Sequence, residues 1–114
     1  MPQFTVHRNK SPRTKGTFPY LVDVQSELLD QLQTRVVIPL TRAPGLARNP
    51  LSHLTPTLTF DGEAYLLMTP QLAGVARTEL GPPAGSLAAE RHAIVAAMDF
   101  LVAGFEAEPK EQRS

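Results

Sequence analysis

Three histidines, His7, His53 and His92, are the side chains best suited to moving a proton or holding a metal in this sequence. None lies in an HExxH pattern, and none has a carboxylate or second histidine at the spacing a metal site needs. His7 falls in an alternating segment and His92 in a helical one, where each reads as a solvated or structural side chain. No serine occupies a GxSxG elbow, so hydrolase chemistry has no visible nucleophile. Gly81-Pro82-Pro83-Ala84-Gly85 precedes a helical segment, where a phosphate could bind. Two of its residues are prolines without amide hydrogens, so the stretch reads as a linker. Asp23, Glu27 and Asp30 are spaced acids, and paired-carboxylate catalysis depends on a geometry that spacing alone does not supply. They read as surface acids following a strand. Arg8, Lys10, Arg13 and Lys15 form a basic run with no acid among them. Such a run is either a solvated loop or a docking surface for an acidic, disordered peptide. No cofactor and no metal is expected.

The elements that would carry these residues follow from pattern. Phe4 to His7 alternates apolar and polar residues, the period of a half-buried strand. Lys10 to Gly16 reads as an exposed loop. Tyr20 to Gln25 is a second strand with Tyr20, Val22 and Val24 on one face. Arg35 to Ile38 is a third, and Pro39 should mark an edge or bulge, since it cannot donate a ladder bond. Thr41 to Pro56 reads as loop with one helical turn at most. Thr57 to Phe60 and Glu63 to Met68 flank Asp61-Gly62, the pair suited to a type I′ hairpin turn. Val75 to Leu80 is expected as the last strand. Ser86 to Ala103 is helical, with Ser86 as N-cap and Leu87, Ile94, Met98, Leu101, Val102 and Phe105 in one apolar stripe. Gly104 is placed to end the helix.

Composition bounds the rest. The 114 residues fit one domain, which can bury roughly two-thirds of its unfolded surface. Formal net charge is zero, so nothing global draws the chain to nucleic acid or an anionic membrane. The absence of cysteine excludes disulfides and agrees with a reducing, cytosolic setting. No signal-peptide core and no apolar run of about 20 residues is present. Residues 1–105 are expected as a single domain and 106–114 as a charged, disordered tail.

Several segments together resemble the CcdB family of toxins. Gln3-Phe4-Thr5-Val6 resembles the family's opening strand. Leu21 to Asp30 matches its VDVQS stretch followed by an acid, two aliphatics and Asp. Val37-Ile38-Pro39-Leu40 matches its VIPL. Met68-Thr69, Leu72-Ala73 and Val75 resemble its hairpin exit, and Arg91 to Gly104 has its helical rhythm. The likeness covers about residues 3 to 105. It implies an α+β, mainly β fold: a small, strongly bent antiparallel sheet, barrel-like as in CcdB, MazF and Kid, with a minor sheet and a C-terminal helix. It also implies a non-enzymatic, cytoplasmic homodimer, the toxin of a plasmid-maintaining toxin–antitoxin pair. That toxin binds the A subunit of DNA gyrase and traps the enzyme on cleaved DNA. Its antitoxin's flexible segment neutralises it, and the pair regulates its own operon with the antitoxin supplying the DNA contacts. Arg8, Lys10, Arg13 and Lys15 are the expected antitoxin contacts.

The gyrase-facing residues carry over as Leu28, Leu29, Asp99, Val102, Ala103, Gly104 and Phe105. Leu28 and Leu29 are conservative for the family's two aliphatics. Asp99 replaces an asparagine and Val102 an aromatic. The family's terminal Trp-Gly-Ile is Ala103-Gly104-Phe105 here, nine residues follow it, and the chain contains no Trp. Two alternatives stand beside gyrase poisoning. One is a relative that binds only an antitoxin. The other is an endoribonuclease toxin of the MazF and Kid type, which zero net charge and VDVQS argue against.

Overall fold

A computed structural model describes residues 2–43 and 53–104. Seven strands and one helix are present among them: β1 (Thr5–Asn9), β2 (Tyr20–Asp23), β3 (Thr34–Arg42), β4 (Thr57–Phe60), β5 (Glu63–Leu67), β6 (Ala73–Ala76), β7 (Leu80–Ser86) and α1 (Arg91–Ala103). Six strands form a curled antiparallel half-barrel in the order β4-β5-β3-β2-β1-β7, and β6 is a minor strand paired to β3. The fold is therefore the mainly-β, bent-sheet architecture expected, closed by a C-terminal helix.

Alternation sets which face is buried. Val6, Val22 and Ile38 lie in one cross-strand row and are fully buried. Leu40, Leu58, Phe60, Tyr65 and Leu67 extend that core, and Leu87, Ile94 and Ala97 cover it. Burying each large side chain contributes about 1.5–3 kcal/mol before entropy is counted. Tyr20 meets Phe60 and Tyr65 edge-on at ring separations of 5.2 and 5.6 Å. Burial pushes the Tyr65 phenol above its ordinary pKa, and the Glu63 carboxylate beside it adds to the shift.

The hairpin at Asp61-Gly62 forms as read. Both residues have positive φ, 52° and 81°, which is the type I′ requirement. Gly104 ends α1 in the left-handed region at φ 82°, donating to Phe100 O.

Four expectations are corrected. β3 does not stop at Pro39 but continues through Thr41 and Arg42, so the loop expected from Thr41 begins later. Residues 34–37 of β3 pair with β6 and residues 40–42 pair with β5. Pro39 falls in the gap between these partners, and its carbonyl accepts from Met68 N on that side. A strand residue's N and O point to the same side, so the missing N–H faces the gap and interrupts no ladder.

Next, Val75 to Leu80 is not one strand: β6 ends at Ala76 and a 3-10 turn covers Arg77–Glu79. The expected linker is instead β7, an edge strand against β1, where two prolines are tolerated because one flank has no partner. Its register against β1 shifts twice, and such bulges raise the local twist that curls the sheet. Finally, α1 begins at Arg91, not Ser86; Ser86 Oγ instead accepts from Ala88 N at the start of a 3-10 turn, Ala88–Glu90. Most of the loop expected over Thr41 to Pro56, together with Phe105 and the expected 106–114 tail, lies outside the described residues.

Gly81 shows how close β7 approaches β1. A Cβ there would lie 2.4 Å from Arg8 O, a backbone atom. Gly81→Ala is therefore expected to destabilise the domain by about 1–3 kcal/mol through forced backbone movement, read as a lowered urea midpoint. An unchanged midpoint would show that β7 is free to move away.

Candidate partner-docking surfaces

The segment after β2 is built by its own polar side chains. Asp23 and Arg35 are both fully buried. Arg35 donates through Nε to Asp23 Oδ2 at 2.8 Å and through Nη2 to Oδ1 at 3.0 Å, a bidentate pair. Asp23 Oδ1 also accepts from Gln25 N at 3.0 Å. The Gln25 side chain then ties two strands and a turn, donating to Leu29 O and accepting from Val36 N. Ser26 Oγ accepts from Leu28 N and so caps the 3-10 turn Glu27–Leu29. Asp23 is thus no surface acid: a charge this deep persists only because an opposite charge and hydrogen bonds complete it. Phe4 closes the segment from the other side, donating from N to Asp23 O while holding φ 71°. For so bulky a residue that is an uncommon conformation, held by the buried ring and by Leu87 N, which donates to Phe4 O.

This scaffold pushes apolar residues outward. Leu28 is 94 % exposed and Leu29 50 %, and Leu32 beyond them is 49 % exposed. Leu32 escaped the sequence reading, although a lone leucine among Gln31, Gln33 and Thr34 is a legible signal. On α1, Asp99, Val102 and Ala103 are exposed at a spacing that places them on one helix face, and Val102 is 86 % exposed. Leu101 and Val102 continue the apolar stripe expected on this helix, but not its burial. The buried part ends at Met98, and the helix's last turn runs beyond the core that Ile94 and Ala97 reach. The candidate residues therefore fall on two exposed apolar sets, one on the turn after β2 and one on the last turn of α1.

The basic residues occupy a third place. Arg8, Lys10, Arg13 and Lys15 are all exposed. Arg8 lies over the Tyr20 ring at 5.8 Å, and Lys10 Nζ donates to Thr78 O at 3.0 Å. Asn9, which sequence reasoning missed, shapes the loop by donating to Thr14 Oγ1 and Phe18 O and accepting from Ser11 N. The loop walls a groove of about 600 Å³ on the sheet face opposite α1, floored by Phe18, Leu21, Val37 and Pro39.

None of the three histidines gathers chemistry. His7 is buried in β1 with Nδ1 donating to Gly81 O at 3.1 Å, while its Nε2 has no partner among the described residues. His53 lies beside the Phe100 ring, and His92 is exposed on α1. No group of three His, Cys, Asp or Glu side chains able to hold a metal occurs among the described residues. No helix among them is long and apolar enough to cross a membrane. A family model described as CcdB protein matches residues 3–104, nearly the whole chain.

Proposed function

From the premise that this chain belongs to the CcdB family of toxin–antitoxin toxins, we propose that it binds the A subunit of DNA gyrase and traps the enzyme on cleaved DNA. The observation that carries this reading is Leu28. A leucine left almost wholly in water, on a turn fixed by buried polar side chains, is a preformed apolar contact awaiting a partner. Val102 on α1 is a second such contact. The reading involves no catalysis by this chain. Leu28→Asp should leave the fold intact, because the side chain is almost wholly exposed. It should weaken binding of purified gyrase A subunit in calorimetry by at least about tenfold, a loss of ~1.4 kcal/mol. Equal affinities would remove this turn from the interface.

The working unit in this reading is a cytoplasmic homodimer, whose partner copy covers apolar surface near the end of α1. Light scattering at micromolar concentration should give twice the 12.4 kDa chain mass, and a value near 12.4 kDa would contradict it. The neutralising partner is an antitoxin with an acidic, disordered segment. Arg8, Lys10, Arg13 and Lys15 supply the complementary charge, and the groove that Lys10 borders offers an apolar floor. Operator DNA is reached only through the antitoxin. Reversing the charge of Arg13 and Lys15 is expected to slow antitoxin association and flatten its salt dependence in stopped-flow measurements. An unchanged on-rate across ionic strengths would place the antitoxin elsewhere.

A second reading is favoured by one observation. Position 103, where the family places Trp, is an exposed alanine, so the helix end lacks its aromatic anchor. A relative that binds an antitoxin without poisoning gyrase fits that feature.

A further inference from the structure

We infer that Arg77 is a positioning residue whose guanidinium fork fixes the turn carrying Leu28 and Leu29. The inference rests on the reading above that this turn meets gyrase.

The turn needs such a device because apolar burial does not hold it: residues Glu27–Leu29 include none that is buried. Besides Gln3 N, which donates to Glu27 Oε2 at 3.2 Å, its polar ties come from three directions. From β2, Gln25 and Ser26 hold its start. From β3, Arg35 Nη1 donates to Asp30 Oδ1 at 3.1 Å. The third tie comes from the 3-10 turn after β6, 47 residues on in sequence. There Arg77 donates through Nη2 to Asp30 O and through Nε to Leu32 O, the latter at 3.1 Å. Its Nη2 also lies 3.5 Å from Asp30 Oδ1, and its backbone N donates to Gln33 O at 2.9 Å.

One side chain thus takes up two turn carbonyls and a carboxylate. The planar fork does this from two separate nitrogens, Nε and Nη2, whereas the three donors of a lysine ammonium all sit on one atom. The Arg77 side chain is 26 % exposed, so it is an accessory clamp on the surface of the fold and not a piece of its core. Without its side chain the Asp30 and Leu32 carbonyls lose these donors, while the backbone bond from Arg77 N to Gln33 O remains. A binding turn that fluctuates must be ordered when the partner arrives, and that ordering subtracts from affinity.

The test compares the native chain with Arg77→Ala and Arg77→Lys by two readouts. The first is hydrogen exchange at the Leu29, Asp30 and Leu32 amides, which donate within this turn. The second is calorimetric affinity for the purified A subunit of gyrase. Both variants are expected to exchange faster at these three amides, to keep the native urea midpoint to within a few tenths molar, and to bind gyrase about tenfold more weakly. Three results would overturn the inference: unchanged exchange at these amides, faster exchange spread over the core strands, or unchanged affinity despite local loosening. Full recovery of affinity with lysine would overturn the role of the fork. If the native chain itself binds no gyrase, the functional reading fails, and the exchange result alone decides whether Arg77 holds the turn.

Discussion

Ala103→Trp is expected to tighten binding to the A subunit of gyrase by a factor of roughly 30, about 2 kcal/mol. Trp is enriched among the residues that dominate interfaces, and truncating such an anchor typically costs at least about that much. Ala103 is exposed beside Val102, so a ring added there meets solvent and not the core. Gly104 still terminates the helix in the left-handed region, which keeps the added side chain on an ordered turn. The new ring should leave the urea midpoint unchanged. The residues after Gly104 are a second variable, because the sequence from Glu106 to Ser114 adds three glutamates beyond the family's end point. A chain stopping at Phe105 should bind more tightly than the native chain if the glutamates after it oppose docking. Calorimetry on the native chain, Ala103→Trp and the shortened chain separates the two effects. Equal affinities for all three would move the anchor away from the helix end and leave Leu29 as the next residue to change.

Asp23→Ala is expected to cost about 3–5 kcal/mol of stability, because it removes the buried bidentate counter-charge of Arg35 and leaves only the partly exposed Asp30 carboxylate on one nitrogen. Domains of this kind have about 5–15 kcal/mol in total, so the variant should be close to unfolding at 37 °C. Asp23 Oδ1 also anchors Gln25 N, and Gln25 in turn ties Leu29 O to Val36 N. The loss should therefore include local disorder around Leu28. Replacing both members, Asp23→Leu with Arg35→Met, should recover much of the stability, since the penalty arises from a buried charge that Asp30 alone compensates only in part. That double variant should not recover gyrase binding, because the polar frame of the turn is gone. Urea unfolding measures the first effect and calorimetry the second. A cost below about 1 kcal/mol for Asp23→Ala would mean that water reaches Arg35.

The legible parts of this fold are those encoded over a few residues. Asp61-Gly62 between two alternating runs specified its hairpin because few residue pairs accept positive φ twice. Gly104 specified the helix end for the same reason. The VDVQS stretch was legible as a family mark but not as a mechanism. Asp23 looked like one of three spaced acids, because its partner Arg35 lies 12 residues away and only the β2–β3 pairing brings them together. Arg77 was invisible for the same reason, since its contacts span 45 and 47 residues. The β7 strand was missed because prolines and glycines read as breakers; only an open sheet edge makes them admissible. The apolar stripe of α1 was legible, but not how much of it is buried, because helical periodicity does not say where the sheet beneath the helix ends.

A DNA-cleavage assay tests most directly whether Leu28 and Leu29 deliver this chain to gyrase. Purified gyrase, supercoiled plasmid and increasing amounts of the chain are incubated, and linear DNA is measured after denaturing the enzyme. The native chain is expected to raise linear DNA modestly, Ala103→Trp to raise it at much lower concentrations, and Leu28→Asp to abolish the rise in both backgrounds. No linear DNA at any concentration of Ala103→Trp, or an undiminished yield with Leu28→Asp, would contradict that role.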